Sequence, residues 1–208
     1  MSVPQSFVGA WHRVDISVDG GEPAETHTVW WLQADTAFAD IRVPLTGTNE
    51  ADSFAGHTHW EDPSLTWDRH LDLHARPDID TGVITWDGLD MLEDGTFGFG
   101  GQSPVPYRER WRRLPEPHGG GYVVLSNDTS RLVCIGNYAI TVVDDRSTAG
   151  SYRATAWHRP SVLWEEFMEW PAVHDGVSAP PDDRDGWQVG GTVRLDDATT
   201  WTVEEIAA

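Results

Sequence analysis

The chain has 208 residues, a formal net charge of −20, and 14 basic residues that are all arginine. A field of that sign repels phosphate backbones and anionic bilayers, which excludes nucleic acid and membrane surfaces as partners. Without lysine there is no Schiff base, no pyridoxal phosphate anchor and no P-loop cation, so no cofactor is expected; the 12 tryptophans, each burying about 150–250 Å², can supply a core that an apolar content of 39% would not.

Met1–Gln5 carries neither a basic nor an apolar leader, and no stretch approaches the roughly 18 apolar residues of a membrane helix, so a soluble, cytoplasmic protein is expected. Gly9–Val18 reads as a first strand, ended by the Asp19-Gly20-Gly21 turn. Thr28–Val43 reads as a hairpin around Asp35, rich in β-branched and aromatic residues. Ser53–Trp60 is a short strand in which Gly56 marks a bulge, and Leu65–His74 is a long one. Two hairpin signals follow, Trp86-Asp87-Gly88-Leu89 and Leu92-Glu93-Asp94-Gly95, then a glycine-rich loop from Gly98 to Gly101 and a strand Tyr107–Leu114.

Pro115–Gly121 is the best boundary in the sequence, and it divides the chain into units 1–115 and 119–208. Beyond it, Tyr122–Ser126, Leu132–Ile135, Tyr138–Val143 and Tyr152–His158 are strand-like, and the single cysteine, Cys134, is a small buried hydrophobe among them. Ser161–Trp170 fits a short helix or a strand equally well. Pro171–Asp185 reads as an exposed loop, its acidic run from Asp182 to Gly186 as a turn without EF-hand spacing, and Trp187–Leu195 with Trp201–Ile206 as a last hairpin. Short strands with turns between them and almost no helix predict an all-β, antiparallel barrel or sandwich.

Gly9 and Trp11 on the first strand, with an arginine just after Trp111 (Arg112 or Arg113), resemble the lipocalin or calycin pattern over residues 7–114. The resemblance implies a lipocalin-like barrel followed by a second, smaller β-barrel or half-barrel, and an arginine laid across the first-strand tryptophan. Phe38–Pro44, Ser53–Gly56 and Tyr107-x-Glu109-x-Trp111 are similar to a little-described intracellular group that includes a fungal protein of two lipocalin-like barrels. That group has no settled activity to carry over, and the disulfides and signal peptide of secreted lipocalins have no counterpart here.

Side chains alternate across a strand. Phe38, Asp40 and Arg42 therefore oppose Ala39, Ile41 and Val43, and an even loop puts Trp31 with the first set. Leu65, Trp67, Arg69, Leu71 and Leu73 share a face, as do Tyr107, Glu109 and Trp111. The expected cavity holds the carboxylates Asp40 and Glu109 and the guanidiniums Arg42 and Arg69, framed by Trp31, Phe38, Trp67, Tyr107 and Trp111.

Buried charges must be paired, hydrated or waiting for a ligand. The arginines suit a small flat molecule that is anionic or aromatic, and a desolvated Glu109 or Asp40 could act as general acid or base in an isomerase, cyclase, lyase or hydrolase. Two other readings stand beside this one: internal Arg–carboxylate pairs in a filled barrel that serves as a protein-interaction module, and a metal-dependent enzyme built on His57 and His59. The first-named site contains no metal, and a pocket of a few hundred Å³ separates it from the interaction module.

Overall fold

The computed structural model describes residues 2–47, 50–76, 79–98, 103–115, 121–148, 150–171, 179–181, 184–195 and 199–207. The expected boundary residues 116–120, most of the glycine-rich loop (99–102), residues 172–178 and the acidic pair 182–183 lie outside these. Among the described residues every regular element is a strand, and no helix is long and apolar enough to cross a membrane.

Eight strands form a closed antiparallel barrel in chain order: β1 (Gly9–Val18), β2 (His27–Gln33), β3 (Ala37–Pro44), β4 (Asp52–Glu61), β5 (Ser64–Asp72), β6 (Asp80–Asp87), β7 (Asp90–Phe97) and β8 (Val105–Arg113). Closure is made by β1 against β8, with Trp11 opposite Arg113. Of the two arginines after Trp111, Arg113 lies over the Trp11 ring at 4.3 Å and donates to the carbonyls of Val8 (2.6 Å) and Ser6 (2.7 Å), while Arg112 pairs with Asp90.

A seven-stranded antiparallel sheet follows: β9 (Tyr122–Asn127), β10 (Ser130–Ile135), β11 (Tyr138–Asp144), β12 (Tyr152–His158), β13 (Glu165–Trp170), β14 (Thr192–Arg194) and β15 (Thr200–Ala207), in the spatial order β13-β12-β11-β10-β9-β15-β14. The ambiguous Ser161–Trp170 segment is thus a strand from Glu165 onward, paired with β12.

The β2–β3 turn has two residues, since Ala34 N–H donates to Ala37 O at 2.9 Å. Trp31 consequently stands opposite Asp40 and Gln33 opposite Phe38, all turned into the barrel. Trp30, Leu32, Ala39 and Ile41 face out, and they are buried because the second sheet covers them with Val133, Ile135, Tyr138, Ile140 and Val142. A barrel face hidden by another sheet can be apolar throughout, which leaves the polar side chains for the interior.

The other face of the second sheet has its own core, with Leu132, Cys134, Trp157 and Trp201. Two glutamates of β15 tie the units together. Glu205 accepts from the backbone of Thr36 (3.1 Å) and Ala37 (2.8 Å), and Glu204 bonds His57 and accepts from Arg131 at 3.0 Å.

Two expectations from the sequence fail here. Between Leu71 and Arg69 a bulge inserts His70, so Leu71 pairs with Ala55 and packs outward with Leu73, while Asp72 turns inward beside Phe54. Gly56 stands opposite this bulge, where any Cβ would run into the Asp68 carbonyl. The second expected hairpin, Leu92–Gly95, is also no turn. Those residues lie within β7, paired with Arg110–Tyr107, and the turn is at Gly88–Leu89 alone.

Candidate functional site

The lower interior of the barrel is solid. Trp31 packs on Trp11 (centroids 6.2 Å), on Trp67 (5.9 Å) and on Trp111 (5.6 Å), the last two edge-on. Between Trp31, Asp40, Arg42, Phe54, Trp67, Glu93 and Trp111 only about 10 Å³ is empty. The indoles expected to wall a hollow instead fill it, because their broad rings meet across a barrel narrow enough to close on eight strands.

Above this plug runs a chain of charges. Glu25 accepts from Arg13 (2.8 Å), Arg13 bonds Glu109, Glu109 lies 3.5 Å from Arg42, and Arg42 donates to Asp40 at 2.8 Å. Burial raises the Asp40 pKa, against Arg42, which lowers it. Three of the four expected charges are therefore together, joined by Arg13, whose register with Trp111 comes just before the β1 bulge.

Glu93 is the other acid here. Its oxygens accept from the Tyr107 hydroxyl (2.8 Å) and the Trp111 indole N–H (3.1 Å). Burial first, and then the charge of Glu109, push its pKa well above the ordinary glutamate value. Two interior glycines make room: a Cβ on Gly82 would sit 2.6 Å from Glu93 Cγ, and one on Gly95 would collide with the Tyr107 ring.

Arg69 stands apart from these, on β5. Among the described residues β5 and β6 pair from Ser64 to Trp67, against Val83 to Asp80. Arg69 stacks on Phe54 at 3.5 Å, pairs with Asp80 and lies 3.7 Å from Asp72. Its Nε and Nη1 make no hydrogen bond, though Nη1 is the atom that faces Asp72, and Glu109 Oε2 and Trp31 Nε1 make none either; all four atoms are buried. Two adjoining cavities meet at this arginine. One of about 60 Å³ is bordered by Arg42, Arg69, Arg76, Asp80, Tyr107 and Glu109. The other, about 350 Å³, is bordered by His59, Trp67, Asp68, Arg69, Arg76 and Ile79. Arg76 donates to Asp52 at 2.7 Å.

Phe38 is buried against Phe54 (6.0 Å), away from both cavities, and Tyr107 stacks on Phe97 at 4.4 Å. His57 faces the second sheet, in contact with Glu204 and with the His70 ring at 4.9 Å, whereas His59 borders the larger cavity. Among the described residues no three His, Cys, Asp or Glu side chains converge as a metal site would need.

Sequence reasoning missed Arg13, Arg76, Asp80 and Glu93. Glu93 had a signal: it shares parity with Met91 and Gly95, which a strand reading of Asp90–Phe97 turns inward. Asp80 and Arg76 had none, since neither sits in a periodic run.

The crystal structure of an uncharacterized Saccharomyces cerevisiae protein, YLR301w, matches with a TM-score of 0.74 at 16% identity, over 96% of this chain and 98% of that one, which shows a shared fold. Among curated proteins none matches. The family model described as Protein HRI1 matches residues 10–205, and the chain belongs to the HRI1 family.

Proposed function

We propose that the chain is a lipocalin-like binding protein for a small flat molecule, anionic or aromatic, seated in the cavities that Arg69 borders. The observation that carries this is Arg69, a largely buried guanidinium stacked on Phe54 and bordering a cavity of about 350 Å³. That volume lies in the range of small-molecule sites, about 300–1,000 Å³. A guanidinium fork fits planar acceptors, and Trp67 with Ile79 offers apolar surface for a ring. The filled floor favours the interaction-module reading for the lower barrel only. An acid–base step at this site would fall to Glu109, which borders the smaller cavity, rather than to Asp40, which borders the filled floor.

Tryptophan fluorescence titrations with naphthoate and with the bicyclic lactam isocarbostyril test the reading in the wild type and in Arg69→Gln. Saturable binding of at least one probe is expected, weakened about tenfold in the variant, which is about 1.4 kcal/mol. If neither probe binds, or Arg69→Gln binds as the wild type does, the proposal fails.

A further inference from the structure

We infer that the second sheet tunes the ligand site through Arg146, a positioning residue that acts on Arg69 by way of Asp72. This rests on the binding reading above and deepens it, since affinity then depends on both units of the molecule. Arg69 borders both cavities, whereas Arg146 borders neither. After Asp72 the chain leaves β5 and turns, with Ala75 in the left-handed region at φ 48°. A residue with a Cβ resists that conformation, so the turn keeps it where neighbouring groups hold the chain in place.

Asp72 holds the turn from within. Its carboxylate accepts from the His74 N–H at 2.9 Å, and it lies 3.5 Å from the Arg76 nitrogen and 3.7 Å from Arg69 Nη1. Arg146, two residues past the end of β11, secures the backbone of the same stretch. Its Nη2 donates to the Asp72 carbonyl at 2.7 Å and its Nη1 to the Leu73 carbonyl at 2.8 Å. Asp144 aims this guanidinium, accepting from Nε at 2.8 Å and from Nη2 at 2.7 Å. One arginine thus fixes two successive carbonyls, and bonds from a charged donor are stronger than neutral ones. The neighbouring strand is tied to the same sheet, since the Ser53 carbonyl accepts from the Tyr152 hydroxyl at 2.7 Å and from the Leu73 N–H at 3.0 Å. Loss of Arg146 frees Asp72 to move, and with it the acid beside Arg69.

The test titrates naphthoate and isocarbostyril by tryptophan fluorescence in the wild type, Arg146→Ala, Arg69→Gln and the double variant. Arg146→Ala is expected to weaken whichever probe binds by about fivefold, an effect of the size seen for residues that modulate a site without touching its ligand. Because that effect runs through Arg69, the double variant should bind within about twofold of Arg69→Gln alone. Amide hydrogen exchange on the unliganded proteins should quicken at Leu73 and His74 in Arg146→Ala and stay at the wild-type rate in β8, whereas general loosening would quicken both. Arg146→Gln carries the same comparison should Arg146→Ala not fold. Wild-type affinity in the variant, losses that multiply in the double variant, or unchanged exchange at Leu73 and His74 each overturn this inference and leave the binding site standing. Binding of neither probe by the wild type overturns both.

Discussion

Glu93 has its hydrogen bonds from two neutral donors, the Tyr107 hydroxyl and the Trp111 indole. An unfolded glutamate titrates near 4.5, whereas the folded one holds its proton to higher pH. Above about pH 4.5 the folded state thus binds more protons than the unfolded state, and stability falls as pH rises from there through the folded value. Glu93→Gln keeps an acceptor for Trp111 and a partner for Tyr107 but cannot titrate. Urea midpoints of the wild type should therefore drop relative to Glu93→Gln across that window, while parallel pH profiles would contradict the assignment. Glu93→Ala strands both donors and should cost about 1–3 kcal/mol for each. At this scale the sequence was partly legible. Asp40, Arg42 and Glu109 share the interior because parity along β3 and β8 is unbroken. Arg13 and Glu93 were missed, the first beside a bulge, the second in a segment whose Asp94-Gly95 mimics a turn.

The strands carry the acids at the cost of side-chain volume elsewhere. β6 and β7 supply Gly82 and Gly95 where Glu93 and Tyr107 must lie. Gly82→Ala forces a methyl into the Glu93 side chain, and overpacking of this kind costs about 1–3 kcal/mol. Urea denaturation should show that loss, and little loss in Gly88→Ala beyond the strain of its turn, where no atom stands within 4 Å of the added Cβ. The bulge in β5 decides the site in a different way. It turns Asp72 inward beside Arg69 and sends Leu71 out to the second sheet, an arrangement that strict alternation cannot anticipate. Only Gly56, opposite the extra residue, hinted at it.

At the scale of the molecule, the barrel is apolar outside and polar within on the β2–β3 side, and the second sheet makes this possible by covering Trp30, Leu32 and Ile41. The run of short strands with turns between them foretold an all-β chain, but no local pattern says which face of a strand a distant sheet will cover. The joint between the units is polar as well as apolar. Glu204, although burial opposes it, is held at a pKa of about 2 by His57 and Arg131. Its contribution is present above the unfolded value of 4.5 and is lost as pH falls through about 2. Glu204→Gln should cost about 1.5–3 kcal/mol at pH 6, and the gap in melting temperature from wild type should close between pH 4.5 and 2. A gap that persists at pH 2 would place the stabilisation elsewhere.

The cavities beside Arg69 are where fold and proposed function meet, since there a barrel whose floor is filled by its own side chains keeps space beside a largely buried arginine. The most direct test is a crystal structure of the protein grown with isocarbostyril. The account predicts density for the ring between Trp67, Arg69 and Ile79, with its carbonyl oxygen in hydrogen-bond range of the Arg69 guanidinium. Density at another place on the molecule, with this cavity closed by its own side chains, would contradict it.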